Sequence, residues 1–117
     1  MGGYRELARA NPAAYQPDVA RTLNDQATLE LLTNNLTRAR ADVDEALNIN
    51  RELWKANPEA TEDDLARSLA IDAFALNAMH QPASVVCPLL HEAAAVANDP
   101  QVKKVVAAEQ TEFCSAQ

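Results

Sequence analysis

The chain has 117 residues, so we expect one domain over residues 1–117 with a single modest core. Its formal charge of −7 disfavours nucleic-acid binding, because none of its ten Lys and Arg residues lies in a dense basic run. A composition that is 48% hydrophobic but only 4% aromatic, with just two glycines, favours an all-α fold of closely packed helices over a sheet.

The first predicted helix runs from Asp18 to about Thr33. Pro17 suits its first turn, where a missing N–H costs nothing, and Asp18 places negative charge at the positive end of the helix dipole. Asn34 tolerates the left-handed conformation that closes a helix, so a tight turn is predicted there. Apolar residues recur at three- and four-residue steps and predict one buried stripe: Val19, Leu23, Ala27, Leu31 and Leu32.

A second helix is predicted from about Thr37 to Ala56. Asn57-Pro58 ends it, because the residue before a proline is pushed out of helical geometry. The residues expected to face inward are Ala39, Val43, Ala46, Leu47, Ile49 and Leu53.

The third helix is predicted to extend to about Ala78 and to start at Thr61, which with Asp64 resembles a capping box. The His80-Gln81-Pro82 segment is the next predicted turn. Apolar positions of this helix are Leu65, Leu69, Phe74, Leu76 and Met79.

A fourth helix is expected to open at Ala83 or Ser84 and to continue to about residue 97, with Pro88 able to shorten or offset its start. Asp99-Pro100 is typical of an N-cap followed by the first helical residue. A final helix is therefore predicted over Gln101–Phe113.

The chain contains an internal repeat. Residues 5–25 read RELARANPAAYQPDVARTLND and residues 51–71 read RELWKANPEATEDDLARSLAI, identical at 11 of 21 positions with an offset of 46 and no gap. Roughly two identities would be expected from average residue usage. We therefore predict tandem antiparallel helix hairpins, divided into a partial unit at about 4–14, units at 15–57 and 58–98, and a capping helix at 99–115.

These residues resemble tetratricopeptide repeats of the longer-unit kind found in bacterial arrays. The resemblance rests on the segments similar to YRELAxANP and PDxARSLN, on Asn34 at the turn position, and on the small, large, small pattern of Ala39, Val43 and Ala46. It covers residues 4 to about 78, with a period of 46 instead of the family's roughly 34 residues. The resemblance implies a stack of helix pairs, an α-solenoid, whose first helices line a concave groove.

The function implied by this resemblance is a non-catalytic scaffold that binds a protein or peptide in the groove. Both repeat copies carry an arginine, Arg21 and Arg67, which would hold a partner carboxylate or simply pair with a nearby aspartate. For Leu31 and Phe74, core packing is the expected alternative to partner contact. The groove residues implied are Arg21, Asn24, Thr28, Leu31, Arg67, Phe74 and Asn77.

Two other functions compete with this one. A chain that begins within a repeat would expose an apolar seam, so self-association through repeat ends is the structural alternative. The enzyme or metal alternative rests on His80, Cys87, His91 and Cys114, of which Cys87 and His91 share a helix face. No Cys-x-x-Cys pair or orienting acid accompanies them, so we expect no catalytic residue, no metal and no cofactor.

The remaining predictions concern the cellular compartment, the cysteines and Trp54. No stretch reaches the roughly 20 apolar residues that span a bilayer, and the start lacks the apolar core of a signal peptide, so we expect a cytoplasmic protein that does not bind membranes. Without an export signal, Cys87 and Cys114 are predicted to be free buried thiols. Trp54 is predicted to pack in the core.

Overall fold

The computed structural model describes the backbone of residues 12–114 and the side chains of residues 16–114. The all-α prediction is confirmed for this part of the chain. The partial unit expected at about 4–14 lies mostly outside the described residues. The helices are α1 (Pro12–Leu32), α2 (Leu36–Ala56), α3 (Pro58–Ala78), α4 (Ala83–Val96) and α5 (Pro100–Cys114).

The helices α1 and α3 end in the same way, at two of the predicted turns. Asn34 and His80 both take a left-handed conformation, with φ of 61° and 62°. In each turn the N–H of the next residue reaches back five residues: Asn35 donates to the carbonyl oxygen of Glu30 at 2.7 Å, and Gln81 to that of Leu76 at 3.0 Å. These bonds satisfy carbonyls that the helix end would otherwise leave unpaired.

Two predicted helix starts are wrong. The helix α1 begins six residues before Asp18, so Pro17 lies inside it and removes one backbone hydrogen bond from the second turn. The helix α3 begins at Pro58, so Thr61 is not its N-cap but lies within its first turns. The Thr61 hydroxyl donates to the carbonyl oxygen of Asn57 at 3.1 Å. In both cases an earlier proline starts the helix, because its fixed φ already suits the first helical position.

The other helix boundaries agree with the sequence. The helix α4 opens at Ala83 and continues through Pro88. Asp99 caps α5, since its Oδ1 accepts hydrogen bonds from the N–H groups of Gln101 at 2.8 Å and Val102 at 3.3 Å. The Asp99 N–H in turn donates a hydrogen bond to Oδ1 of Asp63 at 2.9 Å, which attaches the start of α5 to α3.

The helices pack in chain order, with α3 in the middle. Each helix contacts the next one, and α3 also contacts α1 and α5. Short connections reverse the chain between neighbours, so α1, α3 and α5 run side by side in one layer, while α2 and α4 form the other. None of the described helices is both long enough and apolar enough to cross a bilayer.

The core consists of small and branched apolar side chains between these layers. Leu23, Leu69 and Leu90 are fully buried. Most of the predicted inward-facing residues are buried. The prediction for Leu32 is wrong, because this residue is 79% exposed at the end of α1. Trp54 packs against the largest cluster, as predicted. The alanines of that cluster let the helices approach closely; its buried members are Leu47, Leu65, Ala66, Leu69, Ala70, Ala93, Ala97, Val102 and Val106.

A buried polar chain joins α1, α2 and α3. The Ser68 hydroxyl donates to Asn24 Oδ1 at 2.9 Å and accepts from Asn50 Nδ2 at 3.0 Å. Asn50 Nδ2 also donates to the carbonyl oxygen of Asp64 at 3.2 Å. Because all three side chains are buried, these bonds fix the relative placement of the three helices.

Candidate binding groove

A groove runs along the layer formed by α1, α3 and α5. It encloses about 320 Å³ and is lined by Asn24, Asp25 and Thr28 from α1, by Arg67, Ala70 and Ile71 from α3, and by Gln101, Val102, Val105 and Glu109 from α5. A smaller depression of about 130 Å³ shares Asn24, Asp25 and Arg67 with it and extends it toward Arg21 and Asp64. The lining thus combines apolar side chains with polar and charged ones, which is the usual composition of a recognition site.

Four of the seven predicted groove residues line the groove or its extension. These are Arg21, Asn24, Thr28 and Arg67. Asn24 is buried, and its side-chain oxygen is already engaged by Ser68. It therefore shapes the groove more than it offers a free polar group.

The other three predicted residues lie elsewhere. Leu31 is half-buried against the cluster that joins α1 and α2. The Phe74 ring makes an edge-on contact with the ring of Phe113, with centroids 6.0 Å apart, and is 44% exposed. Asn77 is exposed near the end of α3, where its carbonyl oxygen accepts the His80 N–H. Leu31 is therefore a packing residue of the core, and Phe74 is one in part.

Sequence reasoning missed the wall that α5 contributes. Val102, Val105 and Glu109 follow one another at helical spacing on α5, and all three line the groove. The spacing was visible in the sequence, but the helix was predicted only to cap the stack. Its position beside α3 depends on long-range packing of Val102 and Val106 in the core.

The two repeat-related arginines differ in their partners. Arg21 donates to Asp64 Oδ2 through Nε at 3.2 Å and through a terminal nitrogen at 3.1 Å. The hydrogen bond to Asp64 raises the pKa of Arg21, and the charge of Asp64 adds to this. Arg67 is exposed and makes no ion pair within the described part of the chain. Pairing with an aspartate thus accounts for Arg21 and leaves the Arg67 guanidinium open to a ligand.

Glu109 is an acidic residue of the groove whose pKa is raised. Burial raises its pKa to about 8, and repulsion from Glu112 contributes. Its Oε1 is buried and has no hydrogen-bond partner among the described residues. At neutral pH the Glu109 carboxyl is therefore largely protonated, and it can donate a hydrogen bond.

Buried carboxyl groups also lie beside α2, away from the groove. The Arg40 Nε lies 2.8 Å from Asp72 Oδ1, yet burial and the nearby Asp44 raise the Asp72 pKa to about 6. Burial, followed by a hydrogen bond with Asp42, raises the pKa of Glu30 to about 7. These groups make the stability of the helix stack depend on pH near neutrality.

The prediction of free buried thiols is wrong. Cys87 and Cys114 form a disulfide between α4 and the last residue of α5, with their Cα atoms 6.0 Å apart. Both side chains are half-buried. The pairing arises because α5 folds back onto α4, a contact that a sequence separation of 27 does not reveal. Disulfides persist mainly in oxidising compartments, so this bond counts against the cytoplasmic address, which stays a prediction.

The chain was compared with family models, curated proteins and solved structures, and none of them matches it. The tetratricopeptide resemblance therefore rests on the repeated residues alone. In the described part of the chain no three His, Cys, Asp or Glu side chains are placed to hold a metal ion together. The structure by itself shows an all-helical domain whose helices pack in chain order.

Proposed function

We propose that the chain is a non-catalytic protein-binding module, a short stack of tetratricopeptide-like hairpins that holds a peptide segment of its partner in the α1/α3/α5 groove. The observation that carries the proposal is the groove itself. Its apolar lining residues suit an apolar side chain of the partner, and Arg67, which forms no ion pair with the described residues, suits an acidic group beside it.

The repeat interpretation has support from the helix bounds. The helices α1 and α3 each have 21 residues, and both start and end with the same offset of 46 residues that separates the repeated sequences. The left-handed residues Asn34 and His80 are also 46 positions apart. The helix after each turn differs, since α2 has 21 residues and α4 has 14. The proposed repeat is therefore regular up to His80 and atypical beyond it, as terminal units of stacked repeats often are.

The test uses peptides selected from a display library for binding to the whole chain, with matched variants as controls. Val105→Asp places a carboxylate on the groove wall, while Val85→Asp places one at a similarly exposed position on α4. We expect Val105→Asp to weaken binding at least about tenfold, because the carboxylate would be buried without a partner, and Val85→Asp to leave it unchanged.

A second pair of variants tests the charge. Arg67→Ala should weaken the binding of peptides with an acidic residue, while Lys104→Ala, an exposed cation of α5 that does not line the groove, should not. Titration by fluorescence anisotropy measures both pairs. Equal affinities for all four variants would show that the peptides bind elsewhere and would refute the groove assignment. Self-association depends on the end of the chain outside the described residues and stays a prediction.

A further inference from the structure

A second surface depression lies beside the disulfide, away from the groove. It encloses about 640 Å³ between α4 and α5, and its lining residues are Ala83, Ser84, Cys87, Pro88, His91, Gln110 and Cys114. Both cysteines line it, so the disulfide borders an open depression. A small thiol can therefore reach the sulfur atoms in the folded protein.

The disulfide ties the second half of α5 to α4. The first half of α5 is anchored by the buried side chains Val102 and Val106. In residues 107–114 no residue is fully buried, and Glu109, Gln110, Phe113 and Cys114 are half-buried. Phe113 also attaches this half, since it contacts Phe74 and packs against the cluster between α3 and α4. Glu109, on the groove wall, belongs to this half.

We propose that the Cys87–Cys114 disulfide is a thiol-exchange site whose reduction releases residues 107–114 of α5 while the rest of the stack stays folded. A short segment in which no residue is fully buried gains less from packing than the first half of α5 and is marginal as a helix on its own. The disulfide thereby controls the position of Glu109, the groove-lining residue that lies within 107–114. The release of 107–114 is independent of the proposed function; its effect on peptide binding rests on that function.

The exchange proceeds in two steps with a dithiol as reductant. A thiolate of the dithiol attacks one cysteine sulfur; a new sulfur–sulfur bond forms, the Cys87–Cys114 bond breaks, and the second cysteine leaves as a thiolate that takes a proton from water. The other thiol of the reagent then attacks the mixed disulfide. The products are a cyclic disulfide of the reagent and two cysteine thiols, so two electrons and two protons pass to the protein.

The first measurement is amide hydrogen exchange on the full chain, with and without dithiothreitol. We expect exchange in residues 107–114 to become at least about tenfold faster on reduction, while α3 and residues 100–106 change little. A Cys87→Ser/Cys114→Ser variant without reductant should reproduce this pattern. Unchanged protection of 107–114, or loss of protection along the whole chain, would overturn the proposal.

The second measurement is the rate of reduction. Because the disulfide is reachable in the folded state, the rate at fixed dithiothreitol should not increase with urea below the unfolding transition. A rate that rises in proportion to the unfolded fraction would show that the bond is reached only by unfolding, and would also overturn the proposal. Peptide binding by the oxidised protein tests the proposed function separately, since neither result above depends on it.

Discussion

Replacing Ser68 by alanine removes the central member of the buried polar chain. The variant loses the bond to Asn24 Oδ1 at 2.9 Å and the bond from Asn50 Nδ2 at 3.0 Å. Asn50 keeps its bond to the carbonyl oxygen of Asp64, whereas the side-chain oxygen of Asn24 is left buried without a hydrogen bond from Ser68. The substitution is small enough to leave the surrounding packing intact.

The magnitude follows from the two bonds and the acceptor left behind. Two neutral hydrogen bonds contribute about 1 kcal/mol each, and an unsatisfied buried acceptor adds to the loss, so we expect a decrease of about 2–3 kcal/mol in the free energy of unfolding. In a domain of this size that corresponds to a fall in Tm of about 10 °C.

Urea unfolding followed by circular dichroism measures the change. Ser84→Ala is the matched control, because Ser84 is exposed on α4, and it should stay within about 0.5 kcal/mol of the parent. A double-mutant cycle with Asn24→Ala should give a coupling energy of about 1 kcal/mol between the two positions. A loss below about 0.5 kcal/mol for Ser68→Ala would refute the view that this chain of bonds holds the three helices together.

Two further predictions concern stability. Glu30, Asp72 and Glu109 have folded-state pKa values raised to about 7, 6 and 8 from ordinary values of 4.5, 3.8 and 4.5, so their protonated forms favour the folded state. Their contribution to the free energy of unfolding should be fully present below about pH 4 and should be lost as pH rises from there through 6 to 8. Urea midpoints across pH check this, and Glu109→Gln should remove the part of the fall near pH 8; a midpoint that rises from pH 5 to 8 would contradict it. Leu69→Ala empties a fully buried site and should cost about 3 kcal/mol, whereas Leu29→Ala, at a position 64% exposed, should cost less than about 0.5 kcal/mol. Equal urea midpoints for these two variants would mean that the core is centred elsewhere.

The candidate groove was predicted in part. Arg21 and Arg67 were found because the repeat places the same residue type at equivalent positions of α1 and α3, and helical spacing puts such positions on one layer. The two arginines differ in one contact between α1 and α3, because Arg21 donates a hydrogen bond to Asp64 and Arg67 does not. Glu109 gave no signal in the sequence, because an acidic residue near the end of a helix looks the same whether it is solvated or buried.

The sequence by itself determined the helices and the turns between them. Helix formation and termination depend on neighbouring residues, so periodic apolar positions, Asn34 and the connecting prolines were sufficient signals, and errors were confined to the starts at Pro12 and Pro58. Only the tertiary structure decided that α5 lies beside α3 as a groove wall and that Cys87 meets Cys114. Such contacts join residues far apart in the chain. They depend on how whole helix faces fit together, which no local pattern of residues records.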